Sequence, residues 1–363
     1  MMSSPAPKPR VIRSPAAPRG KSKTRDSGRG DSHGALQGAP CASHPRVAGC
    51  MPSSHSLLST FRSDLGLPRI LTCIMKKLLL QLDSNRLPSV FDEVVAHDAG
   101  AESIMQRAAV TEADVRVLFY GCIFSRGPKD LRNTAVFIGG SDMAIGEKLL
   151  AVAQKTLFGP FRVSMMLDSN GSNTTAVAAV VKITRAMGDV RDRNVLVTAG
   201  TGPVGARAAG LFAKSGAHVT ITSRREEEGE RARTAIASRF GGKVALRCMR
   251  DASEAGRVLD DVRPEVLLNA GPAGVLLVPR ATWSGRQGLR VACDLNAVPP
   301  LGIEGIEVND DGAIRDSVTT FGAIGVGGFK MKVHKACIAK LFERSDTVFD
   351  AETIAELAAG LQA

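Results

Sequence analysis

The chain has 363 residues, 44% of them hydrophobic and 23% charged, and a formal net charge of +11. That composition belongs to a folded protein with room for about two domains, and no apolar run approaches the ~18 residues of a membrane-spanning helix. The basic excess is concentrated: residues 1–74 hold eleven Lys/Arg against three Asp/Glu, a local +8, which leaves +3 for everything after them and removes the charge argument for nucleic-acid binding there.

Residues 1–74 also carry nine of the 18 prolines and show no sustained periodicity, so their composition predicts disorder. Three readings stay open. The favoured one is upstream sequence ahead of a misassigned start, with Met75 the true initiator; the others are a genuine basic tail and a targeting peptide. The apolar patch 65–75 is broken by Pro68 and Arg69 and lacks the core of a signal peptide.

From Met75 onward strands alternate with helices. Lys76–Leu82 reads as a strand and Pro88–Ala96 as a helix with Asp92 and Glu93 in its early turns. Val115–Tyr120 reads as a strand, as does Thr134–Ile138, which ends at Gly139-Gly140. Asp142 stands at N-cap distance before an amphipathic helix, Met143–Leu157. Val163–Leu167 is a strand, and Ala176–Met187 a helix stopped by Gly188. The second half continues with strands at 195–198, 218–222, 243–248, 266–268 and 289–295. Helices are expected at 203–215, 226–239, 251–262, 329–342 and 350–361. This alternation defines an α/β protein.

Ala199-Gly-Thr-Gly-Pro-Val-Gly205 joins a strand to a helix. Gly200, Gly202 and Gly205 fit the dinucleotide fingerprint: a tight turn, close approach to a pyrophosphate, and helix-on-strand packing. Thr201, Pro203 and Val204 lie in the same turn, whose helix N-terminus suits an anion. The next strand ends in Ser223-Arg224-Arg225, with no carboxylate before Glu226. An acid there would repel a 2′-phosphate, whereas a hydroxyl and guanidiniums would bind it, so NADP is favoured and NAD stays open.

Three further stretches are candidates for the site. Asp168-Ser-Asn-Gly-Ser-Asn-Thr-Thr175 is a dense polar cluster at the carboxyl end of a strand, where ligands of such sheets bind. Helix capping would need only one such residue. Asn269-Ala270-Gly271 opens a second small-residue turn beside the expected nicotinamide, and Asn296 opens another. Phe321-Gly-Ala-Ile-Gly-Val-Gly-Gly328 reads as backbone packed closely under a cofactor, Gly325 and Gly327 included. The seven cysteines (41, 50, 73, 122, 248, 293, 337) show no metal spacing, so reduced thiols and no metal centre are expected.

The polar cluster, the glycine turn, Asn296-Ala-Val-Pro-Pro-Leu-Gly302 and the 321–328 run together resemble the bacterial NAD(P)-dependent methylene-tetrahydromethanopterin dehydrogenases, some of which also accept methylene-tetrahydrofolate. Gly159-Pro-Phe-Arg-Val163, Cys337–Phe342 and Val348–Glu352 extend the resemblance from about Met75 to the C-terminus. It implies a Rossmann domain (189–329) beside a smaller α/β substrate domain (75–188), a return of 330–363 to the first domain, and an active site in the cleft between them. It implies oxidation of methylene- to methenyl-tetrahydromethanopterin with NADP or NAD, in formaldehyde oxidation. It also implies a cytoplasmic homo-oligomer, trimer or hexamer, with a small pterin as partner rather than nucleic acid or membrane. Thr175 and Lys330 match substrate-site positions of the family.

The implied chemistry moves a hydride from a carbon between two pterin nitrogens, and no proton leaves that carbon. No general base is demanded, and positioning and electrostatics are the protein's part. Lys330 is therefore expected to bind a pterin carbonyl or a cofactor oxygen. Asp168 either offsets positive charge or caps a turn; Asn170, Asn173, Thr174 and His334 are candidate substrate ligands, with packing an equal reading for His334. A methylenetetrahydrofolate dehydrogenase, a non-catalytic NADP-binding protein and a nucleic-acid binder resting on the basic segment are the competing functions.

Overall fold

The computed structural model describes residues 75–362, so the expectations for 1–74, including Cys41, Cys50 and Cys73, lie outside the described residues. The first half runs β1 (Leu78–Leu82), α1 (Val90–Asp98), β2 (Ser103–Arg107), α2 (Glu112–Ile123), β3 (Thr134–Ile138), α3 (Met143–Thr156), β4 (Ser164–Leu167) and α4 (Ser172–Met187). Next come β5 (Asn194–Thr198), α5 (Pro203–Lys214), β6 (His218–Ser223), α6 (Glu226–Phe240), β7 (Val244–Cys248), α7 (Ala255–Val262) and β8 (Val266–Asn269). The chain closes with α8 (Arg280–Trp283), β9 (Val291–Asp294), β10 (Asp311–Arg315), β11 (Val318–Phe321), α9 (Ala323–Lys340), β12 (Val348–Phe349) and α10 (Ala351–Ala359).

Two sheets result. The first has the order β2-β1-β3-β4-β12, every pair parallel. The second has the order β7-β6-β5-β8-β9-β11-β10, parallel except for the β10–β11 edge hairpin. The β7-to-β11 order is that of a Rossmann sheet, and the first sheet has the flavodoxin-like order. Both are doubly wound, with strand order reversing between β1 and β3 and between β5 and β8. Loops leaving adjacent strands at such a point diverge and open a crevice at the carboxyl edge.

The sheets share a core. Leu79, Phe137 and Met166 of the first sheet and Val195, Val197 and Leu268 of the second belong to one buried cluster, bridged by Val177 and Ile183 of α4 and Val333 and Ile338 of α9. Small residues make the bridge possible: Ala176, Ala178 and Ala179 on α4 and Ala208 and Ala209 on α5 are fully buried, letting helices approach closely. Helix α9 starts next to β11 of the second sheet and leads to β12, which pairs with β4 of the first.

Two sequence expectations fail. Residues 115–120 are helical: β-branched composition suggests a strand, but Val115, Phe119, Cys122 and Ile123 bury one helical face, and Thr111 and Asp114 form a capping box ahead of them. The glycine run is helical from Ala323 rather than a loop, and a Cβ on Gly327 or Gly328 would meet nothing within 4 Å. Gly325 and Gly327 lie inside α9, and a Cβ on Gly325 would stand 2.0 Å from the Asp310 carbonyl oxygen, so the space beside it is filled by the chain's own backbone. Gly322 is constrained in the same way against Glu307. Strands β2, β10, β11 and β12 carry little periodicity and are absent from the sequence reading.

Candidate functional site

Each doubly wound sheet carries one group of the candidate residues. In the second sheet the glycine turn follows β5. A Cβ on Gly200 would stand 2.6 Å from Cβ of Ile221, and one on Gly205 would stand 2.9 Å from the Ala199 carbonyl oxygen and 3.3 Å from Cβ of Ala270. Gly202 meets nothing closer than 3.6 Å, so its face is open. Two glycines thus pack the turn, and the third leaves room where a pyrophosphate would lie against the α5 N-terminus, with Thr201, Pro203 and Val204 around it. These residues fit a bound dinucleotide.

Behind the turn a buried chain of hydrogen bonds crosses β5, β8 and β9. Thr198 Oγ1 donates to Asn269 Oδ1 (2.7 Å), and Asn269 Nδ2 donates to Asp294 (2.7 Å). Burial raises the Asp294 carboxyl above its ordinary value. Asn269 Oδ1 also accepts from Gly271 N–H, which fixes the turn containing Ala270. Asn296 is buried and spent on the loops themselves: its Oδ1 accepts from Val298 N–H and Gly274 N–H, and its Nδ2 donates to the Pro300 carbonyl. It braces the cofactor side rather than offering a free group.

At the end of β6 the three predicted residues differ in state. Ser223 is buried and its hydroxyl donates to the Arg225 carbonyl, closing a turn. Arg225 is exposed and held by Glu228, with Nε at 2.9 Å and Nη2 at 2.7 Å. Arg224 is exposed and takes part in none of the hydrogen bonds or ion pairs among the described residues. It is the guanidinium available to a 2′-phosphate.

In the first sheet a cavity of about 290 Å³ opens at the β1/β3 reversal. Asp83, Asn85, Phe91, Asp92, Ser141, Asn170, Gly171 and Lys330 are among its walls. Lys330 reaches in from α9 with Nζ 4.7 Å from the Phe91 ring centroid, a cation–π contact. A Cβ on Gly171 would stand 3.2 Å from Nζ and 3.9 Å from Thr175 Oγ1, which places Lys330, Gly171 and Thr175 together. Asn170 (φ 55) and Gly171 (φ 59) are both left-handed, and this turns the chain from β4 into α4 at the cavity.

The polar cluster divides between structure and cavity. Asp168 is buried and caps α4: one oxygen accepts from the N–H groups of Asn173 (2.9 Å) and Thr174 (3.0 Å), the other from the Thr174 hydroxyl (2.6 Å). Burial pushes its carboxyl up to about 6 against the pull of those bonds and of Lys330. Asn173 and Thr174 are wholly buried. Asn173 donates to the Leu167 carbonyl and accepts from Arg207, while Thr174 bonds Asp168. Neither is among the cavity walls, and their polar groups are spent on the turn and on Arg207. For His334 the structure shows packing, the other of its two readings. It is 1% exposed and stacks on Phe137 (centroids 5.5 Å apart), and neither ring nitrogen has a partner. Burial, with Lys330 adding to it, lowers its pKa to about 3, so it stays neutral.

Sequence reading missed Asp83, Asn85, Phe91, Asp92, Ser141 and Arg207. Asp83 was findable, because it is the first residue past the carboxyl end of β1. Phe91 and Asp92 were visible only as an ordinary first helical turn. Arg207 gave no local signal. It joins α5 to α4 through Asn173 and to α3 through Glu147 (2.6 Å). Among the described residues no cluster of His, Cys, Asp or Glu could hold a metal ion.

The fold is that of a doubly wound dehydrogenase, with a dinucleotide-type turn at the carboxyl edge of one sheet and a polar cavity at the carboxyl edge of the other. A family model described as methylene-tetrahydromethanopterin dehydrogenase, N-terminal, matches residues 90–170. The bifunctional protein MdtA of Methylorubrum extorquens is 45% identical over 284 residues, 78% of this chain and 98% of that protein. The NAD(P)-dependent methylenetetrahydromethanopterin dehydrogenase of the same organism is 31% identical over 71% of this chain and 89% of its own. Among solved structures, ornithine carbamoyltransferase from Pyrococcus furiosus aligns with a TM-score of 0.47 at 16% identity, over 73% of this chain and 84% of its own, too distant to carry an argument. The chain belongs to the methylene-tetrahydromethanopterin dehydrogenase family.

Proposed function

We propose that this chain oxidises methylene-tetrahydromethanopterin to the methenyl form, with NADP as the preferred hydride acceptor. The observation that carries the reading is the arrival of Lys330, on the helix that follows the second sheet, in the cavity of the first. One continuous element thereby joins the cofactor half to the substrate half. Bound nicotinamide supplies a C4 position that accepts hydride. The chain's own residues do the rest. Gly202 and the α5 N-terminus seat the pyrophosphate, and Arg224 takes the 2′-phosphate. Lys330, Thr175 and Asn170 hold the polar edge of the pterin, and Phe91 offers an exposed ring at the cavity mouth. Asp168, Asn173 and Thr174 fix the turn that carries Asn170 and Gly171.

Steady-state formation of NADPH from methylene-tetrahydromethanopterin tests this reading, with methylene-tetrahydrofolate and NAD as parallel arms. Turnover with the first pterin supports it, and binding of NADP without turnover on either pterin overturns it. The reading includes a cytoplasmic homo-oligomer, trimer or hexamer, supported by the family resemblance and tested by its mass in solution. It also takes 75–188 as the pterin domain, 189–329 as the NADP domain and 330–363 as the returning segment.

A further inference from the structure

The cavity has an excess of acid. Asp83 and Asp92 line it, and Lys330 is the only basic side chain among its walls within the described residues. Asp168 stands close enough behind to feel both Asp92 and Lys330. His334, the one other basic group packed against Phe91, adds no charge because burial keeps it neutral.

The two lining carboxylates are not equivalent. Asp83 is fully buried and committed: Oδ1 accepts from Asn85 N–H (2.8 Å) and Oδ2 from Ser89 N–H (3.0 Å). Asp92 sits in the first turn of α1 and is partly open to the cavity, with the Ser89 hydroxyl beside its carboxylate. Both reach over Gly139, where a Cβ would stand 3.5 Å from Asp92 Oδ2 and 3.7 Å from Asp83 Oδ2. Burial raises the Asp92 carboxyl above its ordinary value, and the neighbouring Lys330 opposes that rise.

The reaction changes the charge of what the cavity holds. One C–H bond of the methylene carbon breaks and both of its electrons leave with the hydride, reducing NADP to NADPH. No proton moves. The carbon left between two nitrogens shares one positive charge with them, so the bound pterin becomes more positive by one. A cavity ruled by Lys330 would oppose this change, and interactions that strengthen along the reaction are the ones that accelerate it.

Resting on the proposed activity, we propose that Asp92 sets the charge of the substrate cavity: its carboxylate offsets Lys330 and favours the cationic methenyl pterin over the methylene form. Lys330 then grips the polar edge of the pterin without penalising the reaction. Asp92 is the group that can respond to the ligand, because Asp83 and Asp168 are already tied to backbone N–H groups.

The test uses pairs that cannot react: methenyl-tetrahydromethanopterin with NADP, and methylene-tetrahydromethanopterin with NADPH. In Asp92→Asn the methenyl form should lose about tenfold more affinity than the methylene form, the scale of one charge pair in a well-solvated, water-like environment. The kcat for oxidation should fall while KM for methylene substrate changes little, and Asp92→Glu should recover most of kcat. Lys330→Met should shift the methenyl-to-methylene affinity ratio the opposite way, which keeps the inference testable if Asp92→Asn does not fold. Equal losses for both pterin forms, or unchanged affinities, would overturn the role. Failure of the wild-type protein to bind either pterin would instead overturn the proposed activity.

Discussion

Arg207 Nε lies 2.6 Å from Asn173 Oδ1, and both side chains are buried. This bond ties α5, whose N-terminus carries the glycine turn, to α4, whose N-terminus carries the polar cluster. The same guanidinium reaches Glu147 on α3 (2.6 Å) and the Pro203 carbonyl (3.0 Å) at the base of the turn. One side chain thus fixes the distance between the two halves of the site. Its replacement by Ala leaves Asn173 without its donor in the interior. Arg207→Ala should cost about 3 kcal/mol of stability, read by urea denaturation, and kcat should fall beyond what the lost folded fraction explains. Wild-type stability would show that the lock is idle.

The glycine turn separates packing from binding. Gly200→Ala drives a methyl to 2.6 Å from Cβ of Ile221, an atom fixed to the strand backbone. It should destabilise by about 2 kcal/mol. Gly202→Ala meets only the Ala199 carbonyl oxygen at 3.6 Å, so the melting temperature should stay put while NADP affinity drops about tenfold, or about 1.4 kcal/mol. Calorimetric melting and NADP titration on the two variants separate the roles.

Cofactor choice should rest on Arg224 more than Arg225. Arg224→Ala should raise KM for NADP about tenfold or more, the scale of a charge-assisted phosphate contact, and leave KM for NAD unchanged. Arg225→Ala should change KM for NADP less, since Glu228 already holds that guanidinium in an exposed pair of small worth. Equal effects of Arg224→Ala on both cofactors would remove it from the 2′-phosphate.

Lys330→Met keeps the aliphatic stem over Phe91 and removes the charge. Substrate KM should rise about tenfold, while stability holds, since Lys330 forms no ion pair among the described residues. Unchanged kinetics would take Lys330 out of the site.

Asp168 makes stability depend on pH in a stated direction. Its folded pKa of about 6 exceeds the ordinary carboxylate value of about 4, so the fold favours the protonated form. Its stabilising contribution is therefore whole below pH about 4 and lost as pH rises through about 6. Asp168→Asn, which cannot ionise, removes this dependence. The melting temperature of wild type relative to the variant should fall between pH 4 and 7 and then level off. A difference that grows in favour of wild type over that range would contradict the burial of the carboxyl.

The alternation of strand and helix, the glycine turn and the basic strand end were legible in the sequence because each depends on residues close together in the chain. A turn that needs glycine for want of a Cβ says so locally. Asp142 capping α3 was readable for the same reason. The helix at 112–123 was misread because Val115–Tyr120 has strand composition, and only the partners of Val115, Phe119 and Cys122 show which face is buried. The glycines at 322 and 325 were recognised as close-approach residues, but what approaches them is backbone from 307–311, remote in sequence.

Sequence alone therefore determined the α/β class, the dinucleotide turn, NAD(P) as the cofactor class and the family, through motifs whose physics is contained in a few adjacent residues. Tertiary structure decided which members of the polar cluster face the cavity. Asn173 and Thr174 were claimed by buried donors and acceptors that must be satisfied, whereas Asn170 was left at the cavity. It also brought Asp83, Phe91 and Asp92 from the first α/β unit to Lys330 at the far end of the chain. No local pattern encodes that meeting, because it depends on two strand-order reversals and on a helix that crosses from one sheet to the other.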